Sequence, residues 1–274
     1  MFCSWRFQAV HCLAVLLHLK GDFEGAAPLC WRALHEAERT LGKEHGQTVW
    51  MQVYLTWVLE EKGDAKAELV GRRALEVAER TLGEQWITFA IVTILARVLH
   101  ETGQATEAEQ VARRGVVAAV RTLGENAWTS ANNMQVLARV LLAKGDVEGA
   151  ELFARRAEGA ALEDGTILAR DSANTLARVL LAKGDVAAAE PLARRTLGNT
   201  ERKFGPANPH CAMHARTLAQ VLLQNGDLAG AEPLARRALE IFQCAKGDTH
   251  MDTREAAEAV QAVLRGERDG VTVA

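Results

Sequence analysis

Leu137-Ala-Arg-Val-Leu-Leu-Ala-Lys-Gly-Asp-Val147 is followed 39 residues later by the same residues in the same order, Leu176 to Val186. The apolar positions, Leu176, Ala177, Leu180 and Leu181 in the second copy, keep helical spacing. The helix should stop at Lys183-Gly184, where glycine takes the left-handed turn. Asp185 then stands where a following helix needs its N-cap. Outward from this stretch the pattern spreads along the chain. Ala189-Glu-Pro-Leu-Ala-Arg-Arg195 returns at Ala231 to Arg237, and Ala37-Glu-Arg-Thr-Leu-Gly42 returns at Ala78 to Gly83.

Two glycine series set the period. Gly21, Gly63, Gly103, Gly145, Gly184 and Gly226 are spaced 42, 40, 42, 39 and 42 residues apart. Gly42, Gly83, Gly124, Gly165, Gly205 and Gly247 run in step with them. Each unit is thus cut into a helix A and a helix B. Six units are expected, over about 6–46, 47–87, 88–129, 130–168, 169–210 and 211–252, with a capping helix at 253–265 and a fraying tail at 266–274. Asp22, Asp64, Asp146 and Asp227 repeat the capping role of Asp185. Helix B carries Glu four residues before Arg at 68/72, 109/113, 151/155, 190/194 and 232/236, the favourable order for a solvated outer face. Pro28, Pro191 and Pro233 should each remove a hydrogen bond early in helix B. Unit four has Glu158-Gly159 where other units carry Arg-Thr-Leu-Gly, so its helix B should end early. No hairpin of this kind can bury its apolar stripe alone, so neighbours must stack. The expected fold is all-α: an α-solenoid, a right-handed superhelix of six helix pairs and a cap.

Composition narrows the function. With 32 basic against 35 acidic residues, the net charge of −3 provides no field for general nucleic-acid binding. Cys3, Cys12, Cys30, Cys211 and Cys244 are odd in number and scattered, as in a reduced cytoplasmic protein. Met1 to Leu19 resembles a signal peptide in hydropathy, but Gln8, His11 and His18 interrupt it and it aligns with later helix A segments. It is read as a repeat helix that opens the chain without a cap. No stretch reaches the length of a membrane span.

Leu-Ala in mid-helix A, Gly-Asp at the turn, Ala-Glu-Pro-Leu-x-Arg-Arg on helix B and Leu-Gly before the next unit resemble the tetratricopeptide repeat. The longer period is similar to the kinesin light chain-like variant, over about residues 8–265. Where that family often carries Asn before the helix A Leu-Ala, this chain has Cys12, Tyr54, Ile94, Val136, Thr175 and Thr217. The resemblance implies a non-catalytic scaffold or adaptor, with helix A residues lining a concave channel. One implied column reads Val15, Trp57, Arg97, Arg139, Arg178 and Gln220. The column four residues earlier reads His11, Val53, Thr93, Gln135, Asn174 and Arg216, and the column three later reads His18, Glu60, His100, Leu142, Leu181 and Leu223.

The expected ligand is an acidic, partly apolar peptide. Arg97, Arg139 and Arg178 would hold carboxylates through paired bonds. Gln135 and Asn174 would take the peptide backbone, Leu142 and Leu181 would anchor apolar side chains, Arg216 continues the lining, and Trp57 with Trp50 would stack on the ligand near Glu60 and Glu61. The competing expectation pairs these arginines with acids of adjacent units. A second function places self-assembly at the uncapped N-terminal face. A third makes the chain a repeat domain of a larger signalling or enzyme protein. No phosphate loop, nucleophile elbow or His-Glu-x-x-His occurs. His210 and His214 have metal-compatible spacing but no third ligand in view, so neither cofactor, metal nor catalysis is expected. Trp86 and Trp128 fall in connections and are expected to pack between units.

Overall fold

A computed structural model describes residues 4–161 and 167–266. Gly165 and the tail beyond Gly266, like Cys3, lie outside the described residues. Thirteen α-helices and no strand occur among the described residues. The chain divides into two compact units, Met1–Glu125 and Asn126–Ala274.

The first unit holds three hairpins: α1 (Ser4–Leu19) with α2 (Phe23–Leu41), α3 (Gly46–Lys62) with α4 (Lys66–Thr81), and α5 (Trp86–Glu101) with α6 (Ala105–Leu123). Helix α3 packs on α2 and α5, and α5 packs on α4, so successive hairpins stack rather than share a central core. The second unit repeats this arrangement: α7 (Trp128–Ala143) with α8 (Val147–Ala161), α9 (Ile167–Ala182) with α10 (Val186–Phe204), and α11 (Pro209–Asn225) with α12 (Leu228–Lys246). Helix α13 (Met251–Arg265) closes it against α11 and α12. The opening segment is therefore a repeat helix packed on α2, and no described helix is long and apolar enough to cross a membrane.

The local chemistry follows the sequence closely. Gly63 closes helix A at φ 71 and ψ 25, a left-handed geometry that glycine adopts without Cβ strain. The carboxylates of Asp22, Asp146, Asp185 and Asp227 accept from the backbone N–H three residues on, at 2.8–3.1 Å. Asp64 departs from this: the N-cap of α4 is Ala65, without a side-chain cap bond, and Asp64 Oδ1 accepts only from Lys66 N, two residues ahead, at 2.9 Å. Each such cap contributes about 1 kcal/mol. The three prolines sit inside continuous helices. All five expected Glu/Arg pairs form on helix B, with Arg N to Glu O separations of 2.7–3.0 Å.

Alanines such as Ala26, Ala33 and Ala37 line the buried side of α2, so its neighbours approach closely. At Gly71 of α4 an added Cβ would lie 3.0 Å from Thr56 Cγ2 and 3.4 Å from Leu95 Cδ1. The helix A leucine of one hairpin thus seats on helix B of the hairpin before it. Helix α8 is described as far as Ala161, and residues 162–166 after it are outside the described residues.

Candidate functional site

In the first unit the expected arginine is already occupied. Arg97 of α5 donates from Nε to Glu60 Oε1 of α3 at 2.9 Å, and its Nη2 meets Glu60 Oε2. Glu61 Oε1 lies 3.5 Å from the same nitrogen. Burial alone would lower the Arg97 pKa, but Glu60 and Glu61 outweigh it and hold the guanidinium above its ordinary range. Arg97 is therefore a structural cation here, not an open carboxylate receptor. Trp57 is likewise engaged: its ring meets His18 edge-on at 4.6 Å, and Nε1 donates to Glu61 at 3.4 Å. Beneath it His18 Nδ1 lies 2.8 Å from the Tyr54 hydroxyl. Trp86 and Trp128 are the first residues of α5 and α7, at helix starts and not in the connections. They remain 41 % and 49 % exposed, Trp86 meeting Trp50 at 5.1 Å between ring centres.

In the second unit the same column has a different character. Arg139 on α7 and Arg178 on α9 are half-buried, and neither makes an ion pair or hydrogen bond among the described residues. Burial pushes Arg178 down to about 10; Arg216 and Arg139 act in the same direction, against the acids Glu255 and Asp252. One turn earlier on each helix stand the two amides, so each shares a face with its arginine. Gln135 Nε2 donates to Thr175 Oγ1 at 3.0 Å. Asn174 is buried, and its Oδ1 has no hydrogen-bond partner. Neighbouring groups of opposite need result: guanidinium groups with no hydrogen-bonded or ion-paired anion among the described residues, and a carbonyl lacking a donor.

The remaining expected residues do not join this set. Leu142 and Leu181 are 3 % and 2 % exposed, so they serve the core and offer no surface to a ligand. Arg216 is buried and held by Glu255 Oε2 at 2.5 Å and Asp252 Oδ1 at 3.7 Å, both from α13. This buried network under α13 escaped sequence reading, although Asp252 and Glu255 lie three apart, on one face of the cap. Lys246 Nζ adds a contact to Asp252 Oδ2 at 2.8 Å. Burial alone would raise the Asp252 carboxyl, but Lys246, Arg216 and His250 overcome it and hold the pKa below the usual carboxylate range. A pKa lower in the folded state than in the unfolded chain gives stability above about pH 4, lost as acid passes the folded value. Asp252→Ala removes the carboxylate from Lys246 and leaves Arg216 with Glu255 alone, and should weaken α13 docking by about 1–3 kcal/mol. Hydrogen exchange in 251–265 should then accelerate while α7 and α8 keep their protection.

His214 Nδ1 lies 2.9 Å from Thr200 Oγ1 and its Nε2 lies 3.3 Å from Asp171 Oδ1, an order that looks like a nucleophile triad. Yet Thr200 is 1 % exposed and its hydroxyl donates to the Thr196 carbonyl at 2.9 Å, so no substrate reaches it. His210 faces Phe204 instead, apart from His214 in its surroundings. Among the described residues no group of three or more His, Cys, Asp or Glu is placed to hold a metal.

Comparison with known proteins agrees with this architecture. The family described as the MalT-like TPR region matches residues 3–234. A search among curated proteins finds no match. Among solved structures, a kinesin light chain protein of nearly identical TPR-like repeats from Podosopora anserina is 21 % identical, with a TM-score of 0.54 over 74 % of this chain and 99 % of its own. BtubC (BKLC) from P. vanneervenii is 21 % identical, with a TM-score of 0.60 over 82 % of this chain and 92 % of its own. Rap protein in complex with Competence and Sporulation Factor is 14 % identical, with a TM-score of 0.67 over 96 % of this chain and 74 % of its own. At these identities the likeness is one of fold.

Proposed function

The chain belongs to the MalT-like TPR region family, and from that membership we propose that it is a non-catalytic protein-binding scaffold whose second unit captures an acidic peptide segment. Repeat folds of this type typically serve protein interaction, and Rap, a protein of like fold, is solved with Competence and Sporulation Factor. The single observation that carries the reading is the unspent charge of Arg139 and Arg178 beside the unsatisfied Asn174 carbonyl. A carboxylate supplies the missing anion through two parallel N–H bonds to a guanidinium. A peptide N–H supplies the donor that Asn174 lacks. One extended acidic segment brings both, whereas a simple anion brings only the first. Arg97, Arg216, Leu142, Leu181 and Trp57 support the scaffold and do not touch the peptide.

A peptide array graded in Asp and Glu content tests this. The wild-type chain should retain acidic sequences preferentially, and Arg139→Glu should abolish that retention while leaving helical content unchanged. An array pattern without acidic preference, or one identical in the variant, overturns the reading.

A further inference from the structure

One strip of the first unit has the opposite charge to the arginine pair of the second. Helices α3 and α5 run side by side in the same direction, because Trp50 meets Trp86 near their starts and Glu60 meets Arg97 near their ends. Trp50, Tyr54, Trp57 and Glu61 fall four, three and four residues apart, so they share one face of α3. In α5, α7 and α9 the repeat places Arg97, Arg139 and Arg178 where α3 has Trp57. The strip on α3 therefore trades a cation for aromatic surface.

Its two ends differ. At the first, the indoles of Trp50 and Trp86 stand 5.1 Å apart between ring centres with their planes inclined by 56°, and Trp86 is 41 % exposed. At the second, three carboxylates, Glu60, Glu61 and Glu101, act on the single guanidinium of Arg97. Lys62, beside them in sequence, pairs instead with Glu24 at 2.8 Å. Burial holds His11, edge-on to Tyr54 at 4.7 Å, below its ordinary pKa, so it adds no charge at neutral pH. An excess of buried and half-buried negative charge attracts a further cation and repels an acidic segment. Trp57 lies between the two ends. Its Nε1 is already given to Glu61, which leaves its ring rather than its N–H for a ligand.

We propose that this α3–α5 strip binds a basic peptide segment: an arginine laid over the Trp57 ring with its guanidinium directed at Glu61, and a large apolar side chain about five residues away against Trp50 and Trp86. Arginine suits the first place because it stacks on an aromatic face and bonds a carboxylate through a planar fork. The spacing follows from the helix. Trp50 and Glu60 are ten residues apart, about 15 Å at about 1.5 Å per residue, which an extended chain covers in about five residues. This ligand is separate from the acidic segment proposed for the second unit, and neither reading depends on the other.

The probe is the peptide acetyl-Phe-Ser-Ser-Ser-Ser-Arg-amide, titrated calorimetrically into the full chain at low salt. Saturable binding is expected, at least tenfold weaker when citrulline, the neutral isostere, replaces its arginine. Binding should be at least tenfold weaker to Trp86→Ala, whose exposed ring is lost without opening the core. Glu61→Gln should weaken the arginine peptide and leave the citrulline peptide unchanged, a difference that loss of fold would not produce. The proposal is overturned by no saturable binding to the wild-type chain, by equal binding of the arginine and citrulline peptides, or by either variant binding the arginine peptide as tightly as wild type. Tighter binding of the same peptide with Glu in place of Arg also overturns it, and would make the strip a second seat for acidic segments.

Discussion

Glu60→Gln should lower the stability of the first unit by about 3 kcal/mol, the low end of the cost of removing one partner from a buried ion pair. The Arg97 guanidinium would keep its charge but lose the carboxylate that accepts from two of its nitrogens. Glu61, with an oxygen 3.5 Å away, takes up part of that charge, which is why the upper end of the range is not expected. The double variant Glu60→Leu/Arg97→Met removes both charges and should recover most of the loss, because an apolar pair of similar volume needs no counter-ion. Local hydrogen exchange over α3 and α5 reads the effect without assuming that the whole chain unfolds in one step. Unchanged protection in Glu60→Gln would mean that Arg97 is already satisfied by solvent.

Arg178→Met should do the opposite. An unpartnered, half-buried guanidinium opposes folding at every pH below its folded pKa of about 10, because the folded environment disfavours the charged form. Methionine keeps the stem and removes the charge, so the second unit should gain about 1–2 kcal/mol. The same change removes a charged partner from the proposed peptide site and should weaken an acidic ligand at least about 30-fold. A residue that costs stability yet sits beside another cation is most simply explained by the ligand it receives.

The repeat was legible because its signals are local. Gly at the turn, Asp at the cap and Glu four residues before Arg act within one or two helical turns; the Glu/Arg pairs formed as read, and so did the caps except at Asp64. The fate of the arginines was harder to read because Arg97, Arg139 and Arg178 share the same Leu-Ala-Arg setting. What separates them is the residue that the preceding helix A offers. Arg97 meets Glu60, whereas Arg178 has Leu142 at the corresponding place in the repeat. That difference stood in the sequence columns as Glu60 against Leu142, but its meaning depends on which neighbour each helix faces. Leu142 and Leu181 were assigned to the channel on family geometry, and close stacking of α7 and α9 buries them instead. The α13 network depended on contacts some 36 residues apart in sequence, which no local pattern reveals.

The most direct test of the unspent-charge account is a paired measurement on wild type and Arg178→Met: thermal melting, and calorimetric titration with the acidic peptide that the array retains best. A variant that melts higher and binds at least about 30-fold more weakly is the expected result. A variant that melts lower and binds the peptide as tightly as wild type would contradict it.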